Sequence, residues 1–402
     1  MCGIAGFCNF KEDFEENTDY WNFRLEKMRA VLAHRGNDAR GRYLKKHIGL
    51  SHSRLAIRDI LCGDQPMTRT HNGYDYTICY NGEIYNTDEL IPELSENGFV
   101  CSTTSDTEVI LYAYIHWGAD FVNRLNGIFA FAIWDAAKSR LLLYRDRVGV
   151  KPLFYAIRGD SLVFGSEPKA CFAHPAVKPE LDKQGLQELL AIGPAHTSGL
   201  SLFKDLFEVL PGHFMIYSRD GLHDETYWEL TSREHTESYR DTVAHTRFLV
   251  EDAIKRQMVS DVPVCTFLSG GIDSSIVTAI AANYMNTRGK TLNTFSFDFK
   301  DNDRYFKANS FQPERDLPYV NRMLEEYETA HSYLECDENS LFKALFAAVD
   351  AKDMPGMTDV DSSLLYFCSL VSRKNKVALT GECADEIFGG YPLSLIHISE
   401  PT

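Results

Sequence analysis

Met1-Cys2-Gly3-Ile4-Ala5-Gly6-Phe7 is the stretch on which the reading of this chain turns. A cysteine directly follows the initiator methionine. Cytosolic processing removes Met1 when a small residue follows, so the mature chain is expected to begin with Cys2, carrying a thiol and a free amine on one residue. A free thiol titrates near about 8.5 and an α-amino group near about 7.7–8.0, so the amine fits the role of base near neutral pH. Cys2 would then be nucleophile and base together, with no distant histidine required. The plainer reading makes Cys2 a small residue at the start of a β-strand, since Gly3 to Phe10 alternates small and apolar residues as a buried strand does. The rest of the chain decides between the two.

The chain has 402 residues, enough for two or three domains. Its 41 basic and 57 acidic residues leave a formal charge of −16. That balance argues against nonspecific nucleic-acid binding and against an anionic membrane surface, though not against a local phosphate pocket. Ten cysteines are scattered without a C-x-x-C pair or zinc spacing. With no signal peptide and no long apolar run, the sequence reads as a reduced cytoplasmic protein.

Moving outward from the N-terminus, apolar positions at helical spacing (Trp21, Leu25, Met28, Leu32) predict a helix over 20–34, ending in the turn His34-Arg35-Gly36-Asn37-Asp38. Strands are predicted at 48–53, 55–57 and 76–80. Asn81-Gly82 after the last of these reads as a turn. A helix capped by Ser105 or Asp106 is predicted over 107–117, then strands at 129–134 and 141–146. The first domain is expected over 2–212 and a linker over 213–240. From Asp241 the character changes: helical spacing first, then strands at 264–268, 292–299, 332–335 and 377–379 alternating with helices. Such alternation predicts a parallel sheet with helices on both faces and ligands beyond the strands' carboxyl ends.

Two stretches lie where that rule puts a ligand. Ser269-Gly270-Gly271-Ile272-Asp273-Ser274-Ser275 follows one strand and opens a helix. Its glycines let backbone N–H groups approach an anion, the helix N-terminus adds partial positive charge, and Asp273 suits Mg²⁺ bridging to phosphate. There is no G-K-[ST] ending, so it is not a Walker A loop. The plain alternative is a tight turn with a serine cap. Thr380-Gly381-Glu382-Cys383-Ala384-Asp385-Glu386 follows the last strand and gathers three carboxylates, of which Asp385 is expected to share the metal with Asp273. By itself that stretch reads as an acidic helix start.

With these motifs in place, the sequence resembles the bacterial glutamine-hydrolysing asparagine synthetases, over nearly the whole chain to about residue 391. The first part resembles class II glutamine amidotransferases through M-C-G-I-A-G-F, H-R-G-N-D, S-R-L-A-I, Y-N-G-E-I-Y-N, S-D-T-E-V-I, G-I-F-A-F-A-I-W-D and R-D-R-V-G-V-K-P-L-F-Y. The second resembles adenylating synthetases with a pyrophosphate loop, through S-G-G-I-D-S-S and G-E-C-A-D-E-I-F-G-G-Y. The resemblance implies an α/β protein of two domains: a four-layer α-β-β-α N-terminal-nucleophile hydrolase, then a parallel-sheet adenylating domain over 241–392, truncated.

The resemblance also implies roles. Cys2 would attack the glutamine side-chain amide and form a thioester, with the Asn81 side chain and Gly82 N–H as oxyanion hole. Arg54 would hold the glutamine α-carboxylate, and Asp106 with Glu83 its α-amino group. Leu268, Phe297 and Gly381 would line adenine and ribose, Ser269, Gly270, Gly271, Asp273, Ser274 and Ser275 the pyrophosphate, with Thr380 also binding ATP. Asp273 and Asp385 would bind Mg²⁺. Glu382 matches the glutamate implicated in forming β-aspartyl-AMP, which ammonia from Cys2 would then attack by an internal route. The implied partners are glutamine, aspartate and ATP, with neither nucleic acid nor membrane, and a homodimer is a candidate assembly.

The chain departs from the family pattern in three places. Asn37 stands where the family usually has proline, and Cys383 where glycine is common. Leu393 to Thr402 does not follow the pattern and reads as translated sequencing adapter, so no fold is expected of it. Other readings stay open: a stand-alone glutaminase, a nucleotide-binding scaffold, and a relative acting on another acid, such as a β-lactam-forming synthetase.

Overall fold

A computed structural model describes residues 1–308 and 314–390. The expected adapter-like tail therefore lies outside the described residues. The chain divides into two compact units. One is Met1–Glu234 with Val349–Met357, the other His235–Ala348 with Thr358–Thr402.

In the first unit β1 (Gly3–Asn9) leads to α1 (Thr18–Ala30), β2 (Ala39–Lys45) and β3 (Ile48–Arg54). Next come β4 (Met67–His71), β5 (Tyr74–Ile84), α2 (Thr87–Glu96) and α3 (Asp106–Trp117). Strands β6 (Gly127–Asp135), β7 (Arg140–Arg145), β8 (Phe154–Arg158) and β9 (Ser161–Gly165) precede the helices α4 (Pro168–Phe172) and α5 (Lys183–Ala191). Three strands finish the unit: β10 (Phe207–Glu208), β11 (His213–Ser218) and β12 (Gly221–Thr226). They form two antiparallel six-stranded sheets, ordered β10-β8-β9-β1-β3-β2 and β12-β11-β7-β6-β5-β4.

Side-chain alternation explains the layers. Along β1, Ile4 and Cys8 face the second sheet, where they pack with Cys79, Ala130, Ala132, Leu141 and Leu143. Ala5 and Phe7 face the other way and meet Trp21, Leu25 and Met28 of α1. Both faces of β1 are buried, so it reads as a continuous small-apolar run. Gly6 is needed there because a Cβ would stand 2.4 Å from Gly49 O. On the far side, Ile78, Tyr80 and Phe131 pack under Val109, Ile110 and Tyr114 of α3. The result is the expected α-β-β-α sandwich. Asn17 caps α1, its side chain accepting from Tyr20 N, and Ser105 caps α3, accepting from Thr107 N.

The structure corrects the Asn81-Gly82 turn. Strand β5 runs through both residues, pairing Asn81 with Ala130 and Gly82 with Phe129. A Cβ on Gly82 would lie 2.3 Å from Ile128 O, so glycine serves close strand approach here rather than a turn. Leu55–Ile57 is not a strand, while β2, β4 and α2 escaped the sequence reading.

The second unit begins with α6 (Tyr239–Arg256), β13 (Val264–Phe267), α7 (Ile272–Asn286) and β14 (Leu292–Phe299). It continues through α8 (Asn302–Tyr305), α9 (Leu317–Glu326), β15 (Thr329–Cys336) and α10 (Glu338–Lys352). It ends with α11 (Thr358–Val371), β16 (Val377–Leu379) and α12 (Ala384–Phe388). Its sheet is parallel, ordered β15-β14-β13-β16. Val264 and Leu292 pack on one face with Ala281 and Ala282 of α7. Cys265 and Phe295 pack on the other with Phe367 and Val371 of α11. Helix α6 buries none of its residues fully, and its Phe248 and Leu249 are exposed. No described helix is long and apolar enough to cross a membrane.

Candidate active site

Antiparallel pairing of Gly3 with Ser53 sets Cys2 just beyond the end of the β1–β3 ladder. Its Sγ accepts from Leu55 N at 3.4 Å and reaches Leu55 O at 3.6 Å. No histidine bonds the thiol among the described residues. His52, wholly buried, gives its Nε2 to Tyr80 O at 3.0 Å, and burial holds its imidazole down to about 4, so it stays neutral. Burial pushes the Cys2 thiol up, opposed by the Leu55 backbone hydrogen bond and the N-terminal charge. The Met1 α-amine is pushed down to about 5, first by burial, with Arg35 and Lys151 adding to the effect against Cys2 and Glu83.

Cys2, Arg54, Gly82, Glu83 and Asp106 line one cavity of about 310 Å³, together with Tyr80 and Gln65. Asn81 is 1% exposed, and its Nδ2 donates to no described residue. Burying an amide N–H without an acceptor costs free energy, which is tolerable where a ligand supplies the acceptor. Asp106, in the first turn of α3, accepts from Tyr80 Oη at 2.8 Å and Ile84 N at 3.1 Å. Burial and the neighbouring Asp106 raise the Glu83 carboxyl, and burial raises that of Asp106. Two carboxylates this close favour a cation between them. Arg54 lines the cavity, but its Nη atoms already donate to the carbonyls of Arg58, Asp59 and Ile60 and to Asp64 Oδ1 at 3.0 Å.

Six residues went unassigned in the sequence reading although two of them, Arg35 and Lys151, stand inside quoted motifs. Arg35, in H-R-G-N-D, donates through Nε to Cys2 O at 2.9 Å and through Nη1 to Glu167 Oε1 at 2.6 Å. Glu167 also meets Lys169 Nζ at 3.1 Å, and Lys169 Nζ meets Asp353 Oδ1 at 3.2 Å. Gln65 accepts from Tyr80 N at 2.6 Å and so fixes the strand beside Asn81. Lys151, in R-D-R-V-G-V-K-P, brings its Nζ to 3.3 Å from Met1 Sδ.

In the second unit the two chemistry-bearing loops meet. A Cβ on Gly381 would lie 2.7 Å from Ser274 N and 2.8 Å from Asp273 Cβ, so glycine allows this approach. Gly270 adopts a left-handed φ of +87°. Ser274 Oγ bridges Ser269 Oγ at 3.0 Å and Gly271 O at 3.1 Å, and Ser275 N donates to Gly271 O at 3.0 Å. The helix starts at Ile272, inside the quoted stretch, so Asp273 stands in its first turn.

The expected nucleotide residues divide between two cavities, and Gly270, Gly271, Ser274 and Ser275 line neither. Leu268, Ser269 and Phe297 line one of about 750 Å³. Asp273, Thr380, Gly381 and Glu382 line another, of about 1870 Å³, between α6 and α7. Asp385 is not among that lining, and a Cβ on Gly390 would fall 1.8 Å from its Oδ1. No group of three or more metal-ligating side chains occurs among the described residues. The glycine cradle and hydroxyls suit a phosphate chain, while Asp273 and Asp385 do not by themselves make a closed metal site.

Comparison with known proteins identifies the family. The family model described as glutamine amidotransferase domain matches residues 1–228, and that described as asparagine synthase matches 245–400. Asparagine synthetase [glutamine-hydrolyzing] 3 of Bacillus subtilis (strain 168) is 48% identical, aligned over 98% of this chain and 63% of its own length. Asparagine synthetase [glutamine-hydrolyzing] 1 of the same strain is 32% identical, over 98% and 60%. A putative asparagine synthetase [glutamine-hydrolyzing] 2 of Methanocaldococcus jannaschii is 32% identical, over 97% of this chain and 76% of the relative. The chain thus spans less than two thirds of the two Bacillus relatives. With the amidotransferase match covering more than half its residues and the archaeal relative covered over 76%, the chain belongs to the glutamine-hydrolysing asparagine synthetase family.

Proposed function

We propose that the whole protein makes asparagine from aspartate, ATP and ammonia taken from glutamine, and that the first unit carries the glutamine-hydrolysing half. One observation carries the second statement. The Cys2 thiol, Gly82 and the Glu83–Asp106 carboxylate pair line one cavity, and Asn81, between the lining residues Tyr80 and Gly82, keeps a buried amide donor without a partner among the described residues.

In the proposed reaction the Glu83–Asp106 pair takes the glutamine ammonium, and Arg54 takes its carboxylate by exchanging Asp64 for the ligand. The Cys2 α-amine, freed by loss of Met1, accepts the thiol proton as sulfur attacks the amide carbon. Asn81 Nδ2 and Gly82 N–H receive the oxyanion in a strand that needs no rearrangement. Collapse of the tetrahedral adduct breaks the C–N bond, and ammonia leaves with that proton. Water then cleaves the thioester to glutamate.

In the second unit ATP supplies the adenylyl group that activates the aspartate side-chain carboxylate. Leu268, Phe297 and Gly381 would hold adenine and ribose, with Thr380 also binding ATP. Ser269, Gly270, Gly271, Ser274 and Ser275 would hold the pyrophosphate. Asp273 and Asp385 would hold Mg²⁺, and Glu382 would act on the forming acyl adenylate. The meeting of Gly381 with Asp273 and Ser274 supports one shared site. Cytoplasmic residence and a homodimer belong to the proposal too, checked by fractionation and light scattering.

A glutamine-mimicking electrophile should label wild-type protein once per chain and leave Cys2→Ala unlabelled. Labelling retained in Cys2→Ala would refute the assignment. For the synthetase half, full-length protein given aspartate, ATP and Mg²⁺ should release AMP. A second reading, that this chain alone acts only as a glutaminase, is favoured by the unburied α6. AMP release by the 402-residue chain itself would rule it out.

A further inference from the structure

Lys151 is 9% exposed. Its backbone is pinned from both sides. Lys151 N donates to Asp146 Oδ2 at 2.9 Å, and Lys151 O accepts from Arg145 Nε at 3.1 Å. Asp146, 1% exposed, also takes the N–H groups of Phe129, Val148 and Val150, so the whole loop 147–151 is tied to one carboxylate. This loop holds the ammonium at the N-terminus of the chain. Among the described residues the only hydrogen-bond partner of Nζ is Met1 Sδ, at 3.3 Å. A thioether is a weak acceptor, and a buried ammonium without a carboxylate partner is costly. Arg35 approaches from another side, donating through Nε to Cys2 O at 2.9 Å and through Nη2 to Met1 Sδ at 3.8 Å. Two cations therefore flank the residue whose removal would uncover the Cys2 amine.

We propose that Lys151 is a positioning residue for the nucleophile: with Arg35 it surrounds the Cys2 α-amine with positive charge, so that the amine stands as the free base that accepts the thiol proton. The proposal rests on the reading of Cys2 as the N-terminal nucleophile. The charged and titratable groups facing the α-amine of Met1, one residue ahead of the nitrogen that Cys2 would free, are the Cys2 thiol, Arg35, Lys151 and Glu83. Those facing Lys151 are Arg35, Glu83, Asp146 and Cys2. Asp146 is already spent on four backbone N–H groups, which leaves Glu83 as the one opposing charge not so engaged. A like charge nearby disfavours an ammonium. When Met1 is hydrolysed away, the thioether leaves and the Met1–Cys2 amide nitrogen becomes the amine. The same positive charge favours the thiolate as it forms.

The test is the pH profile of kcat for glutamine hydrolysis at saturating glutamine, a condition that keeps the binding role of Glu83 out of the readout. Lys151→Met should move the midpoint of the acidic limb upward by about one pH unit, because losing a like charge strengthens the ammonium form. Lys151→Arg should restore it. An unchanged midpoint with a merely scaled rate would overturn the proposal. If Lys151→Met does not fold, the wild-type protein still decides. The pH dependence of reductive methylation at the Cys2 amine should show a midpoint below the ordinary range of about 7.7–8.0. A midpoint within or above that range overturns the assignment. N-terminal mass spectrometry on the same samples separates the two levels. Met1 retained in active protein overturns both the amine mechanism and Lys151's part in it. Met1 absent with an unmoved limb overturns only the latter.

Discussion

The two units differ in how much of their apolar surface they bury. In the first, helices cover the outer face of each sheet and a third apolar layer lies between the sheets, with Ile4, Leu25, Ile110, Phe131 and Leu143 all at 1% exposure or less. In the second, the sheet is covered on both faces, but α6 buries nothing fully, and Phe248, Ile272, Ile387 and Phe388 stand more than half exposed. An apolar face of that extent marks a surface that something else covers. The chain spans 63% and 60% of the Bacillus relatives. The lesson is that glutamine hydrolysis and amide synthesis should separate experimentally in this chain.

The largest effect should come from the oxyanion donor. Asn81→Ala is expected to lower kcat for glutamine hydrolysis by about 10²–10³-fold. Thermal unfolding of the first unit should barely move, because the amide nitrogen has no partner to lose among the described residues. A large fall in melting temperature would mean that Asn81 holds the fold rather than the transition state. Next, Leu25→Ala should cost the first unit about 2–5 kcal/mol, as expected for a fully buried leucine, read by denaturant unfolding. A loss under about 1 kcal/mol would show that this core is looser than its packing suggests.

A smaller effect of opposite sign is expected from Glu83→Gln. Burial and Asp106 raise this carboxyl above its unfolded value. Its contribution to stability is therefore full below the unfolded pKa and is lost as pH rises through the folded one. At pH 8 the glutamine variant should be more stable than wild type by about 1 kcal/mol, the difference vanishing near pH 4. The same variant should raise KM for glutamine. In wild type, KM should climb as pH falls and Glu83 takes up its proton. Equal stability at pH 8 would place Glu83 outside the buried pair. Smallest of all, Phe248→Ser on α6 should change stability by no more than about 0.5 kcal/mol while lowering binding of an apolar dye. A clear destabilisation would show that α6 is packed after all, and the contrast between the units would weaken.

How much of this was legible in the residues depends on what each element needed. Helices α1 and α3 and strands β1, β13 and β14 were readable because their faces repeat at 3.6 or 2 residues and their caps are ordinary. The loop before α7 was readable because glycines and hydroxyls at a strand end have few other uses. Asn81-Gly82 misled because the dipeptide favours turns locally, whereas Gly82 is there to let β5 and β6 approach, a need visible only once the strands are paired. Strands β8 to β10 are short; β8 and β9 form a local hairpin, but β9 also pairs with β1, and β10 pairs with β8, far away in sequence. Arg35 and Lys151 carried no local pattern. Their part lies in converging on one point from positions 116 residues apart, counted as 151 − 35.

The nine residues Val349–Met357 belong to the first unit although the chain reaches them from the second. Lys169 is held there by Asp353 Oδ1 at 3.2 Å and by Asp350 O at 2.6 Å. A recombinant piece stopping at residue 234 would strip both acceptors from that ammonium and leave Glu167 to shoulder it while also gripping Arg35. Whoever isolates the hydrolase half for screening or crystallography should therefore graft this short loan back on, or expect a nucleophile whose anchor has slipped.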